Sequence, residues 1–470
     1  MTRIKLFNSP SFWFVPVTLF VYANSFLGGF QFDDFEAILA NPHLDRWHTF
    51  VGHLDHMVRP ALYFTFFLDR MFFVESAWGY HFTNVGLHLL SGYLVYGIIL
   101  RAGVEKREWI AFWTALLFLV HPLSTETVTY LSGRASGLMT CLYLVAFLLF
   151  LQATADSEGQ RTRQARYAGA FLAFLLAVGS KETAVTFPLA ILLWDVLIRR
   201  QPWPVFRHRF LTYHMPFWVL AVVGTLVVLW KHPQYAYLAD FSLHLRPIRE
   251  NILSQVHAVA YSILLFFAPW KQNFDHDLPI VHSLFQWTLI LDVIVLSGFI
   301  AAAVLSFRRF PLAAFGIGWF FLQLLPTNSV IPRNDLLSER NVYLASIGLF
   351  MAVIVFGMGV SRWIGEERLT IFRLRTIVRT AGLAWVMALC VLTVQRNALY
   401  QDPVRLWSDT VHKSPHKARP HNNLGHAYAL RGDWERAIEE FRAALTLNPD
   451  YPLAQENLRN AYLFHVGRSD

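Results

Sequence analysis

Apolar residues run along this chain in long blocks separated by short polar loops. Blocks of spanning or near-spanning length fall at about 12–30, 82–100, 109–121, 137–151, 167–180, 183–198, 214–230, 252–268, 286–306, 311–326, 341–360 and 377–395. A helix crosses the hydrocarbon layer in about 20 residues, so a short block such as 109–121 is expected to extend into its flanking loops. The pattern predicts an all-α, polytopic membrane protein. Arg3 and Lys5 precede the first block, as in a secretory leader. That block is long enough to span and many more follow, so it is read as a first span.

Charge in the loops sets the orientation. Basic clusters stand at Arg3/Lys5, Lys106/Arg107, Arg161/Arg163/Arg166, Arg199/Arg200/Arg207/Arg209, Arg308/Arg309 and Arg362/Arg368/Arg373/Arg375/Arg379. Basic loops stay cytoplasmic, which puts the acid-rich loop 31–80 and the loops 123–136 and 327–340 on the outer side. Three blocks lie between the clusters at 199–209 and 308–309, yet two clusters on one side require an even number of crossings. Block 252–268 carries Gln255 and His257 and ends at Pro269. It is therefore expected to be interfacial or re-entrant, leaving about eleven crossings with the C-terminus outside.

Composition agrees. The chain is 55% hydrophobic, 16% aromatic and 15% charged, against about 25% charged in soluble domains. Its net charge of +8 falls in the orienting clusters and does not point to nucleic acid. Cys141 and Cys390 both lie in apolar blocks, so neither a disulfide nor a cysteine metal site is implied.

Beyond residue 396 the pattern changes, which divides the chain into a transmembrane domain (1–396) and a short helical domain (397–470). The stretch "HNNLGHAYALRGDWERAIEEFRAALTLNP" matches a tetratricopeptide repeat. Leu424, Gly425 and Tyr428 fall on its first helix, Ala437, Phe441 and Ala444 on its second, and Pro449 closes it. Residues 403–415 read as the second helix of a preceding repeat and 452–462 as the first helix of another. So short a stack packs on the membrane domain or offers a groove to a protein partner.

Chemistry concentrates in the outer loops. Asp33 and Asp34 stand together among Phe32, Phe35, Ile38 and Leu39, an amphipathic setting that lays two acids along the lipid–water boundary. Paired carboxylates raise one another's pKa and suit a general base; metal ligation and plain solvation are the other readings. Arg59 precedes Pro60 and an apolar stretch, where it faces a phosphate or snorkels to headgroups. His81, Asn84 and His88 share a helix face and are read as interhelical hydrogen-bonding groups rather than metal ligands. His121, Glu126 and Arg134 are ionisable groups near membrane depth, functional candidates by default. Lys181 and Glu182 occupy a short outer turn, and either pair with each other or meet a donor phosphate. Arg333, Asp335, Glu339 and Arg340 crowd the approach to a span.

At these residues the sequence resembles the transmembrane and tetratricopeptide-repeat-containing proteins. These are relatives of the protein O-mannosyltransferases within the C-type (GT-C) glycosyltransferases. The segments "FDDFEAILAN", "RP…LYFTFFLDR", "HFTNVGLHLL", "HPLSTETVTYLSGRAS", "SKETAVTFPLAILLWD" and "SERNVYLASIG" carry the resemblance in order, over nearly the whole chain. It implies an inverting transfer of a sugar from a polyprenyl-phosphate carrier to a hydroxyl of a protein or glycan acceptor at the outer face. Asp33 then matches the acidic residue of the first loop, base or acceptor positioner. Asp34 takes the second acidic position, where the mannosyltransferases have Glu. Arg59, Arg134, Lys181 and Arg340 are the expected phosphate cations, with His121, Glu126, Glu182 and Glu339 as supporting polar groups. No metal or other cofactor is required; the lipid-linked sugar is a co-substrate. The single clear repeat, where eukaryotic members carry long arrays, points to a bacterial member, with site and repeats on the periplasmic side of the inner membrane. The alternative is a non-enzymatic scaffold or assembly factor that binds a partner through its repeats. A transporter is disfavoured, because the charged residues cluster in loops and no matched pair of broken helices is evident.

Overall fold

The computed structural model describes residues 10–155, 159–232, 234–364 and 371–466. The basic residues Arg3, Lys5 and Arg368 lie outside them. Among the described residues the chain is all-α, with no β-strand.

Among the described residues seven helices are long and apolar enough to cross a membrane: Pro10–Leu27, Ala77–Ile99, Leu131–Ala153, Trp203–Lys231, Trp287–Ser306, Glu339–Val360 and Thr380–Leu399. A shorter apolar helix runs over Pro311–Leu324. Helices Arg107–Val120 and Gln160–Val178 and the helical stretch 182–199 occupy other apolar blocks and are outside those seven. The expected count of about eleven crossings is thus not confirmed by length and composition among the described residues. Ile248–Phe267, expected not to cross, is also outside the seven.

Close packing follows from small residues and buried polar groups. Helices Pro311–Leu324 and Glu339–Ile364 meet backbone to backbone: a Cβ on Gly316 would lie 2.4 Å from the Gly348 carbonyl oxygen. Trp319 Nε1 donates to the Leu344 carbonyl at 2.8 Å across the same contact. His88 joins three helices, 2.7 Å from Tyr343 Oη and 3.1 Å from the Leu119 carbonyl.

The bundle has two polar ends. At one, Asp195 gathers Arg199, Arg209 and His214. At the other, the loops containing Asp34, Arg59, Glu126, Lys181, Gln272 and Glu339 are hydrogen-bonded to one another or to neighbouring helix ends. The helical tail sits at this second end. Helices Pro403–Lys413, Ala418–Leu430, Trp434–Leu447 and Pro452–Val466 follow the expected repeat boundaries. Asp402 caps the first, accepting from Val404 N at 2.9 Å. Leu424, Ala437, Phe441 and Ala444 are buried between the helices, as their repeat positions require.

Candidate functional site

The two adjacent aspartates have opposite environments. Asp34 is 1% exposed. Its carboxylate accepts from Gln31 N at 2.9 Å, Ser132 N at 2.8 Å and Ser132 Oγ at 2.5 Å. Burial pushes its pKa up to about 7, against the pull of those donors. Asp33 makes only a minor contribution to that shift, so mutual repulsion within the doublet is not its main source. Asp34 thus ties the first loop to the turn at Ser132. Asp33 is exposed, and among the described residues its carboxylate has no partner. Its backbone N–H donates to Tyr130 Oη at 3.2 Å. The residue before it, Phe32, has φ of +49°, a left-handed conformation that a bulky side chain rarely adopts. That residue turns the chain into the short helical segment that begins at Asp33.

Tyr130 links Asp33 to Arg340, whose guanidinium lies 5.6 Å from the tyrosine ring centroid. Arg340 Nε is 2.8 Å from Glu126 Oε1, and Arg340 N donates to Glu126 Oε2 at 3.1 Å. Burial raises the Glu126 pKa to about 7, with Arg340 pulling it down and Glu339 pushing it up. Asp33 lies within electrostatic reach of Arg340. Glu339, fully buried, does not pair with its neighbour. It accepts from Gln272 Nε2 at 2.7 Å and Asn273 N at 2.7 Å, and contacts His276 Nε2 at 2.9 Å.

The expected phosphate cations differ in availability. Lys181 Nζ donates to Ser136 Oγ and Asn341 Oδ1, both at 2.8 Å. Burial first, and Arg59 second, push its pKa down to about 7. With Arg340, Asn341, Thr183 and Gln323 it lines a cavity of about 10 Å³, room for one water. Glu182 pairs not with Lys181 but with Arg59, whose Nη2 is 2.9 Å from Glu182 Oε1 and whose Nε is 3.1 Å from Oε2. Burial alone would raise the Glu182 pKa; Arg59 holds it below the usual range. Arg134 faces inward, fully buried: Nη1 is 2.5 Å from Asp69 Oδ2, Nε donates to Asn84 at 2.6 Å, and Phe66 covers the guanidinium at 4.6 Å. Arg333 is exposed, and among the described residues it has no hydrogen-bond or ion-pair partner. It feels Glu182, Asp335, Arg340 and Arg59.

His121 spends both ring nitrogens on backbone, 3.0 Å from the Phe266 carbonyl and 3.2 Å from Leu123 N. Among the described residues no three His, Cys, Asp or Glu side chains are arranged to hold a metal ion. Tyr130 and Ser132 escaped notice in the sequence, although both lie in the motif "TYLSGRAS" beside Arg134. Asp69 also escaped notice; an acid near the end of an apolar helix was its one signal.

Comparison with known proteins bears on the whole chain. Residues 425–463 match the family model described as TPR repeat. The chain is 26% identical over 92% of its length to the human protein O-mannosyl-transferase TMTC4. It is 24% identical over 91% to the Drosophila melanogaster protein O-mannosyl-transferase Tmtc3. It is 23% identical over 93% to the Caenorhabditis elegans protein O-mannosyl-transferase F38B6.6. The chain spans 66%, 54% and 62% of those three relatives. They are the proteins its motifs resemble. Among solved structures, ArnT from Cupriavidus metallidurans bound to undecaprenyl phosphate aligns with a TM-score of 0.45 and 14% identity, over 87% of this chain and 80% of that one.

Proposed function

We propose that this protein is a membrane glycosyltransferase of the GT-C type. It moves a sugar, mannose by resemblance to its relatives, from a polyprenyl-phosphate carrier to a hydroxyl acceptor on the outer side of the membrane, with inversion. One observation carries the reading. Asp33, the exposed member of the acid doublet, shares a polar end with Arg340, Lys181 and the unpaired Arg333.

In this reaction the Asp33 carboxylate takes the proton of the acceptor hydroxyl. The hydroxyl oxygen bonds to the anomeric carbon from the face opposite the carrier. The bond from that carbon to the phosphate oxygen breaks, and its electron pair leaves with the phosphate. Negative charge grows on the leaving group, so a cation aimed at it stabilises the transition state more than the ground state. Arg333 is the direct partner we assign to that phosphate. Lys181 and Arg340 add field from behind, and Arg59 screens Glu182. Asp34, Glu126, Glu339 and His121 hold the loops. Arg134, committed to Asp69, is left out of the phosphate set.

The experiment is mass spectrometry of outer-side proteins and glycolipids from cells carrying the wild-type chain, Asp33→Asn or no chain. A glycan lost in the last two and present in the first supports the reading. A glycan retained with Asp33→Asn but lost on deleting 416–470 would favour the scaffold.

A further inference from the structure

The tail is built into the wall of the site. Trp407, on its first helix, packs against Phe32 with ring centroids 5.4 Å apart, and against Phe274 at 5.2 Å. Phe32 is the left-handed residue directly before Asp33. Further along, Lys413 Nζ donates to the Gln272 carbonyl at 2.8 Å and Ser414 Oγ to the Asp275 carbonyl at 2.7 Å.

Two cations then bridge two acids. Arg419 grips buried Asp275 with Nε at 2.7 Å from Oδ2 and Nη2 at 2.6 Å from Oδ1. The same Nη2 is 2.6 Å from Asp335 Oδ1, and Lys417 Nζ is 3.2 Å from it. Lys417 also pairs with Asp275. Burial pushes the Asp335 pKa up, but Arg419 and Lys417 outweigh it and hold the group ionised below the usual range. Asp335 stands two residues after Arg333. The same loop is fixed on its other flank by Asn251, which donates to the Ser329 and Val330 carbonyls at 2.9 and 3.0 Å.

Asp335 is an acid within electrostatic reach of an unpaired arginine on the same loop. Lys417 and Arg419 turn it toward the tail. Glu182 is the strongest anion that Arg333 feels and Asp335 the next, but Glu182 is already held by Arg59. Released from the tail, Asp335 would be the uncommitted acid on Arg333's own loop and would compete with any phosphate. We propose that Lys417 and Arg419 are positioning residues for the donor phosphate, keeping Asp335 off Arg333 so that Arg333 stays free for the lipid phosphate. This rests on the glycosyltransferase reading above.

The probe is undecaprenyl phosphate, titrated against the full chain in lipid nanodiscs. Lys417→Gln/Arg419→Gln should weaken binding by roughly tenfold, about one charge-assisted hydrogen bond. Adding Asp335→Asn should return the affinity to within about threefold, because it removes the competitor. A role confined to holding the tail in place would not be rescued by that third change. Unchanged affinity in the double variant, or no recovery in the triple, overturns the proposal while leaving the functional reading intact. Thermal unfolding checks the fold; Arg419→Gln alone, with and without Asp335→Asn, carries the same test if the double variant is unstable. Should Arg333→Ala bind as tightly as wild type, the phosphate assignment falls, and this inference with it.

Discussion

The two polar ends of the bundle handle charge in opposite ways. At one end Asp195, 3% exposed, is surrounded: Arg199 at 3.0 Å, His214 at 3.0 Å and Arg209 at 3.5 Å. Arg199 also reaches Thr154 Oγ1 at 2.8 Å and Arg209 the Thr154 carbonyl at 3.1 Å. That knot joins three helix ends and leaves little for a ligand. At the other end the buried charges are satisfied just as tightly, Arg134 by Asp69 and Glu126 by Arg340. Yet Asp33 and Arg333 are exposed, and among the described residues their charged groups have no hydrogen-bond or ion-pair partner. A buried charge must be paired to persist. An exposed one need not be, and the acid and base left open over a paired foundation are where we propose that substrate enters.

The largest test of this contrast is catalytic. Asp33→Asn should lower sugar transfer from a lipid-linked mannose donor by about 10²–10⁴-fold, the scale of a lost general base. Asp195→Asn should leave transfer within about threefold and lower the unfolding temperature instead. Equal losses of activity would erase the distinction between the ends. Next comes the foundation beneath the site. Asp69→Ala strands a buried guanidinium and should cost about 3–5 kcal/mol of stability, read by denaturation. A cost under about 1 kcal/mol would mean that Arg134 has another anion.

Proton linkage sharpens the picture at smaller scale. The Lys181 pKa is lowered to about 7, so the ammonium form gains population as pH falls through that value. Undecaprenyl phosphate should bind several-fold tighter at pH 6 than at pH 8. Lys181→Met should flatten the part of the profile that does not come from the phosphate itself. The depressed pKa also means that the unfolded chain holds more protons above pH 7. This group's contribution to stability therefore rises with pH between about 7 and the ordinary lysine range. The smallest effect belongs to Arg59, whose pair with Glu182 is 34% and 48% exposed. Arg59→Ala should cost about 0–1 kcal/mol, and a larger loss would show that the pair braces the Lys181 turn.

Much of the fold is legible in the sequence. The boundaries of the repeat helices follow from Gly425, Phe441 and the prolines at 403, 449 and 452. The number of spans is not fixed by hydropathy alone, which marks where a block is apolar but not how long its helix runs. Block 109–121 looks like a span, but its helix is only Arg107–Val120, whereas block 183–198 is helical from 182 to 199. At the site, the sequence brought forward Asp33, Asp34, Lys181 and Arg340 and passed over Tyr130, Asp69 and the isolation of Arg333. An arginine in a loop reads the same whether its partner is a phosphate, a neighbouring acid or nothing.

By itself, the sequence determined the all-α membrane architecture, the repeat tail and the loops that hold the ionisable groups. These depend on hydropathy and periodicity over a few turns of chain. Tertiary structure decided which aspartate is buried and which is open, and which cations are spent. Those outcomes depend on partners far away in sequence: Asp34 with Ser132, 98 residues on, and Lys181 with Asn341, 160 residues on. Neighbouring carboxylates with the same intrinsic chemistry part company because burial and hydrogen bonding set a charge's fate, and both are settled only when distant loops meet.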